Sequence, residues 1–403
     1  MLLLVGLFTF QLLLATGGTG EVFRVDQEDK HLLVPQLIRK YGYPLEEYQV
    51  HTEDGYLLSV HRIPGRAPTG QDRRKYPVLM VHSLFSTSAD WILIGPRHGL
   101  AYLLADRGYD IWMGNARGNR YSRQHERLRV EQPAFWNFTF HEIGFYDVPA
   151  MIDYVLEQTN SKKLHYIGFS QGTLVGFVAL SYRPEYNEKI VQLQALSPAV
   201  FVNRNPSTII TILANLAEEI SERYTSSNKF HFAGHADGEA KFVQRLCLPP
   251  TQILCRLLIH DVAGANPRNL DSKMLQIFLG HFPAGSSLKQ VQHYAQMIQD
   301  GLFRQYDYGD PKLNGRFYGS SAVPEYNLSR VTASVRTYFG YNDNTINYRN
   351  VKRLEQMLPN LAGSYPVPDQ LFTHFDFILG NNVREVLYEE VLQRVMDAEN
   401  GLI

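Results

Sequence analysis

The fold is decided by the stretch Leu164-His-Tyr-Ile-Gly-Phe-Ser-Gln-Gly-Thr-Leu-Val175. Its first four residues are typical of a short β-strand, and the apolar residues from Leu174 to Leu180 follow a helical pattern. Between them lies a Gly-x-Ser-x-Gly pentapeptide with Ser170 at its centre. Such a pentapeptide also occurs by chance, but a strand before it and a helix after it are what a nucleophile elbow requires. We therefore expect the Ser170 hydroxyl to stand at the end of a sheet, in front of a helix N-terminus that can stabilise an oxyanion.

Further strands and helices alternate around this stretch. A hairpin is predicted over Tyr48–Pro64, where Asp54-Gly55 supplies the tight turn. Other strands are predicted at Val78–Val81, Asp110–Met113 and Val191–Leu196. The alternation predicts an α/β fold with a mostly parallel central sheet, helices on both faces and the hairpin as an antiparallel edge.

The helix before the elbow strand is predicted to carry its apolar stripe over Met151–Glu157. Asp147 is a typical N-cap residue, and Pro149 suits the first turn of a helix. We therefore expect the Asp147 side chain to cap this helix.

The alternation stops after Pro198. Residues 204–330 are mostly helical in pattern, with one amphipathic helix predicted over Ile209–Ile220 and loops over Tyr306–Tyr326. A strand returns at Ala333–Phe339, and a closing helix is predicted at Val383–Met396. The sequence therefore predicts a signal peptide at 1–20, a first core segment at 21–203, a helical cap or lid insertion at 204–330 and a second core segment at 331–403.

Several features indicate an oxidising compartment. Met1–Ala15 is almost wholly apolar and too short to span a bilayer comfortably, and small residues follow it as at a signal-peptide cleavage site. The two cysteines, Cys247 and Cys255, are close enough in sequence to bridge a small loop. Asn137 and Asn327 begin open glycosylation sequons. We expect a secreted protein without a stable membrane span, with a lysosomal location as the alternative.

Composition and motifs exclude several classes of function. The chain has 403 residues, and its 39 Lys and Arg nearly balance its 40 Asp and Glu, so no strong field attracts nucleic acid. His141-Glu142 begins like a zinc-binding H-E-x-x-H helix, but Phe145 stands where the second histidine is needed. There is no phosphate-binding loop and no dinucleotide fingerprint. We expect no cofactor and no metal.

Ser170 needs a histidine to take its proton and a carboxylate to orient that histidine. Chains with such an elbow place the acid after the serine and the histidine last. Of the 14 histidines, eight precede Ser170 and five lie in the predicted insertion, which leaves His374. Asp343 follows the strand Ala333–Phe339 and would emerge at the same sheet edge, whereas Asp376 is the reserve because it is only two residues from His374.

A tetrahedral intermediate needs two N–H donors. One is expected to be the backbone N–H of Gln171, the residue after the nucleophile. The other is expected from the loop after the Val78–Val81 strand, where we select Leu84. A plain strand end is the alternative for that loop.

The chain resembles the acid lipase family, which comprises the gastric and lysosomal lipases and their insect relatives. The resemblance covers nearly everything after the leader, and the matching motifs are Tyr43-Pro-Leu-Glu-Glu47, Thr52-Glu-Asp-Gly-Tyr56, Trp112-Met-Gly-Asn-Ala-Arg-Gly-Asn119, Leu164–Thr173, Pro283-Ala-Gly-Ser-Ser287, Gln305-Tyr-Asp-Tyr-Gly309 and Tyr326-Asn-Leu-Ser329.

The resemblance implies an α/β-hydrolase fold and hydrolysis of acylglycerols or sterol esters under a helical cap with a movable lid. It places the triad on Ser170, Asp343 and His374, and the oxyanion donors on Leu84 and Gln171. It also implies that Cys247 and Cys255 form the disulfide of the cap.

Two positions depart from the family pattern, which usually has His-Gly before the oxyanion leucine and Gly-His-Ser-Gln-Gly at the elbow. Here the residues are His82-Ser83 and Gly168-Phe169. If position 83 requires a positive φ, serine there costs about 1 kcal/mol of strain. These changes bear on the level of activity and on substrate preference more than on the type of reaction.

The sequence therefore predicts a monomeric serine hydrolase that cleaves triacylglycerols or sterol esters at a lipid–water interface. A short-chain carboxylesterase is the rival among enzymes, and a non-catalytic lipid-binding protein on a hydrolase scaffold is the rival from another class. Apolar pairs in the cap are expected to form the acyl-chain site: Ile209-Ile210, Leu257-Leu258 and Phe278-Leu279.

Overall fold

The computed structural model describes residues 26–65, 75–234, 238–248, 250–269 and 271–402. The predicted signal peptide, residues 1–20, lies outside this part of the chain. Among the described helices, none combines the length and the apolar character that crossing a bilayer requires.

A central sheet organises the molecule. Its strands are β1 Glu46–His51, β2 Tyr56–Ile63, β3 Val78–Val81, β4 Ile111–Gly114, β5 Gln124–His125, β6 Leu164–Phe169, β7 Ile190–Leu196, β10 Val335–Phe339 and β11 Leu361–Pro366, while β8 His231–Phe232 and β9 Ser286–Ser287 form a separate pair. The order across the sheet is β1-β2-β4-β3-β6-β7-β10-β11, and β5 pairs with β2. The hairpin β1–β2 is antiparallel, and β2 runs antiparallel to β4. The remaining neighbours in this spatial order, β4-β3-β6-β7-β10-β11, all pair in parallel.

This topology confirms the predicted α/β class and its antiparallel edge. All residues of β3 and β6 are buried, as expected for parallel strands that helices cover on both faces. Strand β11 was not predicted, because Leu361-Ala-Gly-Ser-Tyr-Pro366 lacks both an alternating pattern and β-branched residues, and it lies half-exposed at the sheet edge.

The helices are α1 Val34–Lys40, α2 Leu100–Asp106, α3 Phe140–Glu142, α4 Val148–Thr159, α5 Gln171–Tyr182, α6 Thr208–Asn215, α7 Ala217–Ser226, α8 Gly238–Leu246, α9 Gln252–Ala263, α10 Ser272–Leu279, α11 Leu288–Asp300, α12 Pro311–Tyr318, α13 Tyr348–Glu355, α14 Asp376–Leu379 and α15 Glu389–Glu399. Wider π-type turns join α3 to α4 at Ile143–Asp147 and precede α15 at Arg384–Tyr388.

The prediction that Asp147 caps a helix is wrong. The helix starts seven residues earlier, at Phe140, where the Thr139 hydroxyl accepts the N–H of His141. Asp147 has helical backbone angles and makes no capping bond. Its buried carboxylate instead accepts two hydrogen bonds from Arg117, at 2.9 Å from the backbone N–H and 2.7 Å from Nε. The Asp147 side chain therefore forms a long-range ion pair with Arg117, although its sequence context is typical of a helix cap.

Helices α6 to α12 lie in the part of the chain between β7 and β10. The single helix predicted over Ile209–Ile220 is broken at Leu216 into α6 and α7, and helix α12 occupies part of the stretch predicted as loops. Cys247 and Cys255 are joined by a disulfide that links the end of α8 to α9. The division into core and cap at residues 204 and 330 stays a prediction.

Two apolar clusters lie on opposite faces of the sheet. One contains Trp112, Tyr166 and Phe177, and the other contains Trp91 and Phe169. Because adjacent residues of β6, such as Tyr166 and Ile167, belong to different clusters, this strand is covered on both faces and its end is rigidly placed.

Candidate active site

The elbow lies where β6 passes into α5. Ser170 has φ 52° and ψ −115°, a conformation that non-glycine residues rarely adopt. A Cβ on Gly172 would overlap the carbonyl oxygen of Val81 in the neighbouring strand, and one on Gly168 would lie 2.6 Å from the Gly172 carbonyl carbon. Both glycines of the pentapeptide are therefore required by close packing, and this packing holds Ser170 in its strained position.

The structure brings together Ser170, His374 and Asp343, which lie far apart in sequence. His374 Nε2 is 3.1 Å from Ser170 Oγ, and His374 Nδ1 is 2.9 Å from Asp343 Oδ2. All three side chains are buried. Since an ionised carboxylate can only accept, Nδ1–H donates to Asp343 and Nε2 is free to accept the serine proton.

Asp343 is held in place by several donors. Its Oδ1 accepts the backbone N–H of Thr345 at 2.9 Å and that of Ile346 at 2.7 Å. Its Oδ2 accepts the Ser197 hydroxyl at 2.6 Å in addition to His374 Nδ1–H. The reserve acid, Asp376, instead accepts the Thr373 N–H at 2.8 Å and the Asn266 amide at 2.9 Å.

Phe169, the unusual residue of the elbow, packs against His374. Its ring centroid lies 4.9 Å from that of His374 and 5.8 Å from that of Phe377. The backbone N–H of His374 donates to the carbonyl of Ala263, the last residue of α9, at 3.0 Å. The imidazole of His374 therefore packs on an aromatic ring, and the backbone that carries it is bonded to the end of α9.

The two expected oxyanion donors border the same site. Within the described part of the chain, neither the Leu84 nor the Gln171 backbone N–H has a hydrogen-bond acceptor. The Gln171 side chain is tied to α11, because its Oε1 accepts Gln290 Nε2 at 2.6 Å and the Tyr294 hydroxyl at 3.2 Å. Both N–H groups are thus available to a ligand, and the side chain of Gln171 is held by α11.

The loop that carries Leu84 does not show the strain considered for Ser83. The positive φ falls on Phe85, at 59°, and Ser83 is absent from the described residues with positive φ. Ser83 donates to Asp90 Oδ2 through its N–H and its hydroxyl, both at 2.9 Å, and the Ser86 hydroxyl bonds to Asp90 Oδ1. Burial raises the pKa of Asp90 to about 6, although these hydrogen bonds act in the opposite direction. Serine at position 83 therefore supplies a hydrogen bond instead of strain.

A cavity of about 310 Å³ lies beside Ser170 and is bordered by helices α6, α9 and α11. Its apolar lining includes Ala199, Val202, Ile210, Leu213, Ala214, Ala217, Val262, Phe282, Val291, Ala295 and Ile298.

Of the pairs expected to form the acyl site, only Ile210 contributes to this lining. Leu257 and Leu258 are 60% and 42% exposed, while Phe278 and Leu279 are buried in the core. The helix pattern located apolar residues correctly but could not indicate which face each helix turns towards the serine.

The two asparagines of the predicted glycosylation sequons, Asn137 and Asn327, are exposed, and their glycosylation stays a prediction.

Among the described residues, no group of three or more His, Cys, Asp or Glu is arranged to hold a metal ion.

An elbow serine at the end of a central parallel sheet, facing a histidine and an aspartate from later strand ends, is the arrangement of an α/β hydrolase. Family models agree: residues 34–95 match the partial α/β-hydrolase lipase region, and residues 76–251 match the α/β hydrolase fold. The chain is an α/β hydrolase and an ester hydrolase.

Relatives that match most of the chain identify its family within the α/β hydrolases. Lipase 1 of Drosophila melanogaster is 41% identical, over 91% of this chain and 80% of that protein. Lipase 3 of the same organism is 39% identical, over 89% and 91% of the two chains. Human gastric triacylglycerol lipase is 32% identical, over 90% and 91%. The chain belongs to the acid lipase family.

Proposed function

We propose that this chain is a serine lipase that hydrolyses carboxylic esters of lipids, with Ser170 as nucleophile, His374 as general base and acid, and Asp343 as the orienting carboxylate. The observation that carries the proposal is the imidazole of His374, which lies between Ser170 Oγ at 3.1 Å and Asp343 Oδ2 at 2.9 Å. Ser170 and His374 also help to line an apolar cavity.

In the proposed reaction, His374 Nε2 takes the proton from Ser170 Oγ as the oxygen attacks the ester carbonyl. The N–H groups of Leu84 and Gln171 stabilise the oxyanion of the tetrahedral intermediate. Collapse of this intermediate expels the alkoxide, which takes the proton from His374, and leaves an acyl-enzyme. His374 then deprotonates a water molecule that attacks the acyl group, and the fatty acid leaves as Ser170 regains its proton.

The substrate is proposed to be a triacylglycerol or a sterol ester. The apolar cavity beside Ser170 suits a fatty acyl chain. Exposed apolar residues on α6 and α9 offer a surface that a lipid–water interface would cover: Ile212, Leu213, Ile253, Leu254 and Leu257. The relatives named lipases, one of them a triacylglycerol lipase, favour the same substrate class.

Two measurements test the proposal. A fluorophosphonate probe is expected to label the wild-type chain and to spare Ser170→Ala, because the phosphorus is attacked by the activated hydroxyl. Absence of labelling in the wild type would support the non-catalytic alternative. Rates on emulsified long-chain triglyceride are expected to exceed those on a soluble short-chain ester, and the reverse ranking would indicate a short-chain carboxylesterase.

We also propose that the enzyme is a secreted or lysosomal protein, which the apolar leader, the Cys247–Cys255 disulfide and the exposed Asn137 and Asn327 support, and that it acts as a monomer. Expression in a secreting eukaryotic cell tests this. The double variant with Asn137→Gln and Asn327→Gln is expected to lose the mass that an N-glycosidase removes from the wild type. Retention of the wild type inside the cell without glycans would contradict the proposal.

A further inference from the structure

Ser197 contacts two members of the candidate triad, although nothing in the elbow motif points to it. It follows β7 directly and is 1% exposed. Its hydroxyl oxygen lies 2.6 Å from Asp343 Oδ2 and 3.2 Å from His374 Nδ1. The one carboxylate oxygen that faces the imidazole is therefore shared by two donors.

The backbone of Ser197 is held in an unusual conformation. Its φ is 47°, in the left-handed region that a residue with a Cβ occupies at a cost of about 1 kcal/mol. Its N–H donates to the carbonyl of Tyr338 in β10 at 2.8 Å, so two neighbouring strands fix its position. Strain of this kind persists only where the surroundings over-determine it, and it commonly marks functional sites.

The hydrogen bonds assign each proton. The Ser197 hydroxyl donates to Asp343 Oδ2, since the carboxylate can only accept. Its lone pairs then face His374 Nδ1–H, which is shared between Asp343 Oδ2 at 2.9 Å and Ser197 Oγ at 3.2 Å. Asp343 Oδ1 is held separately by two backbone N–H groups. Without Ser197, Oδ2 would keep the imidazole as its one donor among the described residues, while the two backbone N–H groups continue to hold Oδ1.

We propose that Ser197 is a positioning residue that holds the Asp343 carboxylate and the His374 imidazole in the orientation needed for proton transfer from Ser170. This inference rests on the proposed function of these three residues. The alternative is that Ser197 is simply a buried hydroxyl with a satisfied hydrogen bond, which would affect folding and leave turnover unchanged.

The test compares Ser197→Ala and Ser197→Gly with Ser181→Ala. Ser181 is the matched control, because it is equally buried and its hydroxyl donates to the Val178 carbonyl inside α5. Both Ser197 variants remove the hydroxyl, but glycine also relieves the positive φ and therefore keeps the test open if the alanine variant folds poorly. Turnover on p-nitrophenyl butyrate is measured per active site, counted with the fluorophosphonate probe.

We expect both Ser197 variants to lower kcat about tenfold, the usual effect of losing a hydrogen bond to a charged group. KM should stay within about twofold, since the hydroxyl is not expected to contact substrate. The acid limb of the kcat profile should move to higher pH, because Asp343 Oδ2 then has one donor fewer and attracts the imidazolium more strongly. Ser181→Ala should match the wild type in all three measurements.

Three outcomes would overturn the inference. The first is a kcat and pH profile in both Ser197 variants equal to those of Ser181→Ala. The second is a loss in Ser197→Ala that Ser197→Gly restores, because a variant without the hydroxyl would then turn over normally. The third is full activity in Ser170→Ala, which would refute the proposed function and this inference with it. Probe labelling that reaches completion in the wild type and, more slowly, in both Ser197 variants, together with a reduced kcat, would support the positioning role and leave the proposed function intact.

Discussion

Asp90 provides the most demanding test of the electrostatics around the candidate site. Its carboxylate is buried, and the hydrogen bonds that it accepts within the described part of the chain all come from neutral donors: the Ser83 N–H, the Ser83 hydroxyl and the Ser86 hydroxyl. Burial raises its pKa from 3.8 to about 6. We predict that Asp90→Asn, which has the same shape without the charge, stabilises the protein at neutral pH.

The expected change in the free energy of unfolding follows from proton linkage. The pKa of Asp90 is higher in the folded state than in the unfolded chain, so the folded state binds more protons between pH 4 and 6 and loses stability as the pH rises through that window. The rise from 3.8 to about 6 corresponds to about 3 kcal/mol at pH 7.5. Asparagine can accept both Ser83 bonds and donate to Ser86, but its second amide hydrogen stays unpaired at a cost of about 1 kcal/mol. The expected net gain is about 2 kcal/mol at pH 7.5, with no gain at pH 4.

Asp147→Asn is the matched control, because Asp147 is also a fully buried aspartate. Its carboxylate lies against Arg117, with Oδ1 2.6 Å from a terminal guanidinium nitrogen, and Asp54 is the other acid on that guanidinium. Removing the Asp147 charge leaves a buried cation partly unpaired, which costs about 3–5 kcal/mol. Burial raises the pKa of Asp147 to about 6 as well, although Arg117 opposes this shift, so the two sites differ in the buried cation and not in the direction of the pKa. We expect Asp147→Asn to destabilise the protein at pH 7.5, because the loss of the pair with Arg117 outweighs the relief of the buried negative charge.

Urea unfolding followed by tryptophan fluorescence at pH 4 and pH 7.5 measures both variants against the wild type. If unfolding is not reversible, pulse proteolysis compares the unfolding rates of the variants with that of the wild type instead. The reasoning about Asp90 is refuted if Asp90→Asn is no more stable than the wild type at pH 7.5. It is refuted equally if the difference between the two proteins is the same at both pH values.

Three other predictions concern the cap, the elbow and the cavity. Replacing Cys247 and Cys255 together by alanine should lower the free energy of unfolding by about 2–3 kcal/mol, because their separation of 8 residues closes a short loop in the unfolded chain; an unchanged urea midpoint would contradict this. Phe169→Ala removes a buried ring that packs on His374 and should cost about 3–4 kcal/mol and lower kcat as well, whereas wild-type turnover would show that the ring does not position the imidazole. Ala295→Phe should fill part of the cavity and raise KM for a long-chain ester about tenfold with little effect on a butyrate ester, and equal effects on both esters would remove Ala295 from the acyl site.

The local pattern of the sequence predicted those parts of the site that depend on nearby residues. The elbow could be recognised because strand, glycines and helix are adjacent in the chain, and the structure explains both glycines by close packing against Val81 and within the elbow. Chain order then selected His374 from 14 histidines, and the strand before Asp343 selected the acid. The structure brings both residues to Ser170, and their catalytic roles stay a proposal.

Long-range contacts decided the rest, because burial and ion pairing depend on which distant segments meet. Asp147 has the sequence context of a cap but is drawn to Arg117, which no local pattern could indicate. The hydroxyl of Ser197 reaches Asp343 across 146 positions of sequence, and only the parallel register of β7 and β10 makes them neighbours. The sequence raised the possibility of backbone strain at Ser83, but the structure shows no positive φ there. Its N–H and hydroxyl instead donate hydrogen bonds to Asp90 Oδ2. Local patterns were enough to predict the fold class and the elbow because strand, turn and helix are neighbours in the chain. Only contacts between distant segments establish which polar groups share a buried site and which helix faces line the cavity.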